Sequence, residues 1–137
     1  MGWPVACDPV SESERGASVG PGLRGELEFE VDDRLLTDVG GSLGSPVLST
    51  PSMIGMMEWA AANLVNPLMP EGQATVGFEV CVKHVAAAPP GARCTARATL
   101  REVLEDRKLF FDVDVVEGEH VIGVGTHQRR VVDTRGS

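Results

Sequence analysis

A long helical period occurs once in this chain, and the apolar runs on either side of it alternate as strands do. The helical run opens at Thr50-Pro51, read as a hydroxyl N-cap and then a proline at the first helical position, where a missing N–H costs nothing. Met53, Met57, Ala60, Ala61 and Leu64 share one face, and Asn66-Pro67 ends the run. Ahead of it, residues 25–31 set Leu27, Phe29 and Val31 against Glu26, Glu28 and Glu30. Behind it come four alternating runs, at 74–85, 93–104, 109–116 and 121–132. The first puts Val76, Phe78, Val80, Val82 and His84 on one face, and the second sends Cys94, Ala96, Ala98 and Leu100 inward. Strand, long helix and a four-strand meander predict an α+β layer: one central helix wrapped by a five-stranded antiparallel sheet.

Such a sheet covers only one side of its helix. A second copy, paired edge to edge or packed back to back, would complete it, so a symmetric homodimer is expected. Residues 1–22, rich in Pro, Ser, Gly and Glu, are expected to form a flexible arm, 23–133 the domain and 134–137 a tail. Residues 38–49 carry Gly40, Gly41, Gly44 and Pro46 and are expected to be a loop.

Charge narrows the function. A net charge of -8 and a pI near 4.8 argue against nucleic acid and against a basic membrane-surface module, although a local cationic pocket for a phosphorylated ligand stays open. Cys7, Cys81 and Cys94 are odd in number and lack metal-ligand spacing, so neither a disulfide framework nor a zinc site is expected. No run of about 18 apolar residues and no secretory signal is visible, which makes the cytoplasm the default location.

Three side chains stand out. His84 closes the otherwise apolar face of the 74–85 run; it is either a hydrogen-bonded strand-end histidine or a proton carrier. Glu58 lies at the edge of the helix's apolar face, as a rim acid or as a carboxylate put to use. Thr50 caps the helix, at the positive end of its dipole, where free N–H groups can also hold an oxyanion. A hydroxyl, a carboxylate and an imidazole suffice for hydrolysis without a metal or a cofactor.

Ser49-Thr50-Pro51, Gly55-Met56-Met57-Glu58-Trp59-Ala60, Thr75-Val76-Gly77, Val82-Lys83-His84, Pro90-Gly91 and Gly123-Val124-Gly125-Thr126-His127-Gln128-Arg129 occur in this order and spacing. Together they resemble the hotdog-fold thioesterases of the fluoroacetyl-CoA thioesterase type. The resemblance implies a hotdog fold and hydrolysis of an acyl-CoA or acyl-carrier-protein thioester without metal or cofactor. It implies a catalytic set of Thr50, Glu58 and His84, with Gly77 and Arg129 contacting substrate, and a homodimer whose active sites lie at the subunit interface. The chain departs from that type in its loop at residues 38–48, which holds no aromatic residue to gate a fluoroacetyl group. An open mouth suits a bulkier acyl group or a carrier-protein thioester. Attack by Thr50 or Glu58, or by a water that Glu58 directs, remain alternatives. So does a non-catalytic protein of the same fold that binds an acyl or other small molecule for sequestration or self-resistance.

Overall fold

The computed structural model describes residues 19–134. Most of the arm expected over 1–22 therefore lies outside the described residues, as does the tail beyond 134. Strand β1 (Arg24–Glu30) leads through a two-strand ribbon, β2 (Leu36–Thr37) and β3 (Val47–Leu48), into helix α1 (Thr50–Val65). Strands β4 (Gln73–His84), β5 (Arg93–Leu104), β6 (Lys108–Glu117) and β7 (His120–Asp133) follow. All five long strands form one antiparallel sheet in the order β1-β5-β6-β7-β4, so β1 and β4 are its edges. The predicted helix-and-sheet layer is the observed one. The region expected to be wholly loop differs at its end, where β3 pairs with β2 at the base of the glycine-rich excursion.

Helix α1 buries Met53, Met57, Ala60, Ala61 and Val65 against the inner face of the sheet. Opposite them lie Cys94, Ala96, Ala98 and Leu100 of β5 and Leu109, Phe111, Val113 and Val115 of β6, all buried. The alanines of β5 matter because a small side chain lets the helix backbone approach the sheet. Truncating Met57 in this packing would cost about 2–5 kcal/mol. On the outer face, Arg97 pairs with Asp114 and Arg101 with Asp112, so these two arginines of β5 bridge to β6.

Two local expectations are corrected. Ser49, not Thr50, is the N-cap: its hydroxyl accepts the Ser52 N–H at 3.1 Å, and Thr50 is already helical. Strand β4 does not alternate throughout, because a bulge lies between Gly77 and Glu79. Before the bulge Thr75 turns inward, and after it Val80, Val82 and His84 do; Val76 and Phe78 are exposed rather than on the inner face. Inserting Phe78 as an extra residue is what allows Gly77 and His84, seven positions apart, to face the same side.

Candidate active site

Capping by Ser49 frees the Thr50 hydroxyl. Its Oγ1 lies 2.7 Å from Nδ1 of His84, which arrives on the last residue of β4. Gly123 is the residue across from His84 in the β4–β7 ladder, and a Cβ there would run into Sδ of Met53. The glycine thus lets α1 close onto the sheet beside the Thr50–His84 pair. Nε2 of His84 is buried and meets no hydrogen-bond partner among the described residues. The oxyanion role expected at this helix start loses donors, since the Ser52 N–H is taken by Ser49 and Pro51 has none.

Two turns along α1, Glu58 presents Oε2 to Gly77. A Cβ built on Gly77 would sit 2.5 Å from that oxygen, so only glycine admits the carboxylate in this position. Arg129 approaches the same oxygen to 3.9 Å and is itself 6% exposed. The terminal nitrogen that makes this approach also lies 3.3 Å from His127 Nε2, while Nε donates to Thr75 Oγ1 at 2.8 Å and the other terminal nitrogen to the Thr75 carbonyl at 2.9 Å. Thr75 Oγ1 in turn donates to Oδ1 of Asn66, the C-cap of α1, which also accepts the Thr75 N–H.

His127 completes this brace. Its Nδ1 lies 2.8 Å from the carbonyl of Glu79, immediately after the bulge. A carbonyl only accepts, so Nδ1 carries the proton and Nε2 is left as the acceptor that Arg129 needs. Burial pushes the His127 pKa down, the Glu79 carbonyl opposes that, and the neighbouring Arg129 charge adds to it. Burial also lowers the pKa of Arg129, against the pull of Glu58. The imidazole stacks on Phe111 with centroids 6.0 Å apart. Sequence reasoning quoted His127 and Thr75 within its motifs and Asn66 as the helix end, and gave none of the three a role in the site. Of these His127 left a signal, two positions before Arg129 and therefore on the same face of β7.

The five residues singled out in the sequence are therefore brought into two groups rather than one. Thr50 and His84 form one; Glu58, Gly77 and Arg129 form the other. Eight helical residues separate Thr50 from Glu58, a rise of about 12 Å. A cleft of about 330 Å3 opens beside the second group, lined by Gly55, Glu58, Trp59, Ala62, Asn63 and Arg129. A second cleft, about 290 Å3, borders Arg101, Phe110 and Thr126 and touches the brace at His127, Glu79 and Phe111. Among the described residues no three His, Cys, Asp or Glu side chains converge as a metal ion requires, and no helix is long and apolar enough to cross a membrane.

Arg130, next to Arg129, turns to the other face and stacks over the ring of Phe78 at 3.7 Å. Cys94 lies in the core, where burial, aided by Glu117, pushes its thiol up to about 11, so it is no nucleophile near neutral pH.

Residues 31–135 match the family model of FlK, the fluoroacetyl-CoA-specific thioesterase. The chain belongs to this family. A fluoroacetyl-CoA thioesterase of Streptantibioticus cattleyicolor is 42% identical over 86 residues, covering 63% of this chain and 61% of that protein. The match thus spans less than two thirds of the relative's length. The crystal structure of a single-substitution variant of FlK superposes with a TM-score of 0.76 at 33% identity, over 85% of this chain and 90% of that one. A hot-dog-like protein from Thermanaerovibrio acidaminovorans gives the same TM-score of 0.76 at 22% identity, over 83% of this chain and 84% of its own. That likeness establishes the hotdog fold, the fold named above from the motifs.

Proposed function

We propose that this family member is an acyl-CoA thioesterase that works as a homodimer, with each active site assembled from both chains. The observation that carries the reading is the separation of the two groups. A thioester carbonyl must be reached by its nucleophile at about 3–3.5 Å, and groups about 12 Å apart in one chain cannot converge on one carbonyl. Strand β4 is a sheet edge and carries both Gly77 and His84. Antiparallel pairing of two β4 edges about a two-fold axis sets the Thr50–His84 group of each chain against the Glu58–Gly77–Arg129 group of the other. It also offers the unpartnered His84 Nε2 a carboxylate from the second chain.

In the proposed reaction Thr50 Oγ adds to the thioester carbonyl carbon and passes its proton to His84 Nδ1. The C–S bond breaks, and the departing thiolate takes the proton from His84. Water then adds to the acyl-threonine ester, giving its proton to the partner's Glu58. The C–Oγ bond breaks, Thr50 Oγ takes the proton back from the partner's Glu58 to restore its hydroxyl, and a free acid leaves. Arg129, held by Thr75 and His127, aims the Glu58 carboxylate. The loop between β2 and β3 carries no aromatic side chain, and Val39 and Leu43 are exposed on it, which favours acyl groups larger than fluoroacetyl.

Free-thiol release from short, branched and aromatic acyl-CoA esters, and from the same acyl groups on a carrier protein, tests the activity. Turnover is expected on at least one CoA ester and is expected to be lost in Glu58→Gln. Tight ligand binding with no turnover on any thioester would establish a binding protein instead. Mass spectrometry of Glu58→Gln after mixing with substrate is expected to show an acyl group on Thr50. No adduct there, together with full activity of Thr50→Val, would transfer the attack to a water directed by Glu58.

A further inference from the structure

The contacts that hold Arg129 differ in how they respond to acid. Thr75 accepts through a hydroxyl and a carbonyl, which are acceptors throughout the neutral and mildly acidic range. His127 accepts through Nε2, 3.3 Å from the same terminal nitrogen that comes within 3.9 Å of Glu58. An imidazole nitrogen accepts only while it is unprotonated. The Glu79 carbonyl secures that state, because it lies 2.8 Å from Nδ1 and draws the single proton of the neutral ring to that side. Two further contacts fix the ring itself. Phe111 of β6 stacks on it with the planes 28° apart, and a Cβ built on Gly77 would lie 3.5 Å from its Cε1. The imidazole and the Glu58 carboxylate thus flank the same glycine.

We propose that His127 is a positioning residue that holds Arg129 against Glu58 only as the neutral Nδ1–H imidazole, so that a second ring proton releases Arg129 and slows hydrolysis. The charged imidazole carries a donor on each nitrogen and no acceptor. Its Nε2–H would point at an Arg129 N–H, donor against donor and cation against cation, between two side chains that are 2% and 6% exposed. Nδ1–H keeps the Glu79 carbonyl in either state, so the Arg129 contact is the one that gives way. The charged groups facing the ring are Arg129 from its own strand and Glu58 from α1. Strand β4 presents the Glu79 carbonyl and Gly77, and β6 presents Phe111. Burial opposes the second proton most, the Glu79 carbonyl favours it, Arg129 opposes it and Glu58 favours it, which leaves the ring below its ordinary value of 6.5. The neutral form therefore prevails above that value, and release belongs to more acidic solution.

The proposal rests on the functional reading for the step that is slowed, but not for the hold on Arg129, and two measurements keep the failures apart. Nuclear magnetic resonance of the isotope-labelled full chain reads the hold directly. At pH 8 His127 is expected as the Nδ1–H tautomer, and the Arg129 Nε–H, bonded to Thr75, as a slowly exchanging signal. That signal is expected to vanish into solvent exchange in step with the uptake of the second proton by His127. An Nε2–H tautomer, or an Arg129 signal indifferent to the His127 titration, would overturn the proposal. Turnover supplies the second measurement. His127→Gln keeps an amide oxygen that can accept from Arg129 and does not titrate, whereas His127→Leu keeps no acceptor. His127→Leu is expected to lower kcat at pH 8 about 10–100-fold, and His127→Gln to recover most of that loss. Glu58 and His84 also shape the pH profile of kcat, so the readout is the ratio of the unsubstituted enzyme to His127→Gln. The ratio is expected to fall below pH 6.5 along the His127 titration. Parallel profiles, or a His127→Leu variant as active as His127→Gln, would also overturn the proposal. Should no thioester be hydrolysed, the functional reading falls, and the two resonance signals still decide the hold on Arg129.

Discussion

At the start of α1, Thr50 and His84 meet through one hydrogen bond, Thr50 is exposed, and the second imidazole nitrogen has no partner among the described residues. Midway along the same helix, Glu58 faces Arg129, which is fixed by Thr75 and His127, which are fixed in turn by Asn66 and the Glu79 carbonyl. One group is poised and incomplete; the other is braced from behind by a buried network. The difference teaches where sensitivity should lie. Changes in the first group should be felt in turnover and little in stability, because few protein contacts depend on it. Changes behind the second should be felt in both, because a buried donor or acceptor left unpaired destabilises the fold as well as misplacing the carboxylate.

The sharpest test of this contrast is Glu58→Gln, which keeps shape and removes charge. We expect kcat to fall about 10²–10⁴-fold with an unchanged melting temperature, measured by thiol release and calorimetry. Near-normal turnover would remove Glu58 from the chemistry. Thr50→Val should lower kcat about 10²-fold or more while Thr50→Ser retains most activity, with neither moving the melting temperature appreciably, since Ser49 holds the cap. A large loss of stability in Thr50→Val would show that the first group is structural after all. Thr75→Val strikes the brace: it removes the hydroxyl shared by Asn66 and Arg129 and should cost about 1–3 kcal/mol in denaturant unfolding, with a smaller fall in kcat.

The smallest expected effect concerns His127. Burial favours its neutral form, so the folded protein takes up this proton at a lower pH than the unfolded chain does. Below the ordinary value of 6.5 the unfolded state therefore binds more protons. The contribution is fully present above that pH and is lost as the pH falls below it. Unfolding free energies measured between pH 5 and pH 8 should show this slope, and His127→Phe should flatten it. An unchanged slope in the variant would assign the acid sensitivity to other groups.

Much of the architecture could be read from spacing, because helical and strand periods report directly which face is buried. The helix, its end at Asn66 and the inward set of β5 were all legible in that way. What spacing misses is a residue out of step. Phe78 looks like a core residue by alternation and is exposed, because the bulge inserts it between two ladder positions. The N-cap was missed by one residue because Ser49 and Thr50 are both good caps, and only the accepted Ser52 N–H distinguishes them. Thr50, Glu58 and His84 stood out by their places in the pattern, and Gly77 and Arg129 came from motif likeness; that the five fall into two separate groups came from neither. His127 and Thr75 were hidden because a buried polar residue is recognised by its partners, and those partners lie on other elements.

The amino-acid sequence by itself determined the layer: one amphipathic helix, the strands that face it, and a hydroxyl, an acid and an imidazole carried on them. Local periodicity and family motifs are enough for that, since each depends on near neighbours along the chain. Tertiary structure decided the rest. The bulge in β4 turned Gly77 and His84 to one face, the Ser49 cap released the Thr50 hydroxyl, and the Glu79 carbonyl of β4 locked His127 of β7 as an acceptor for Arg129. The first and third depend on which strands meet across long sequence separations, and the second on which of two adjacent hydroxyls accepts the Ser52 N–H, so in each the partners are chosen by geometry rather than by sequence order.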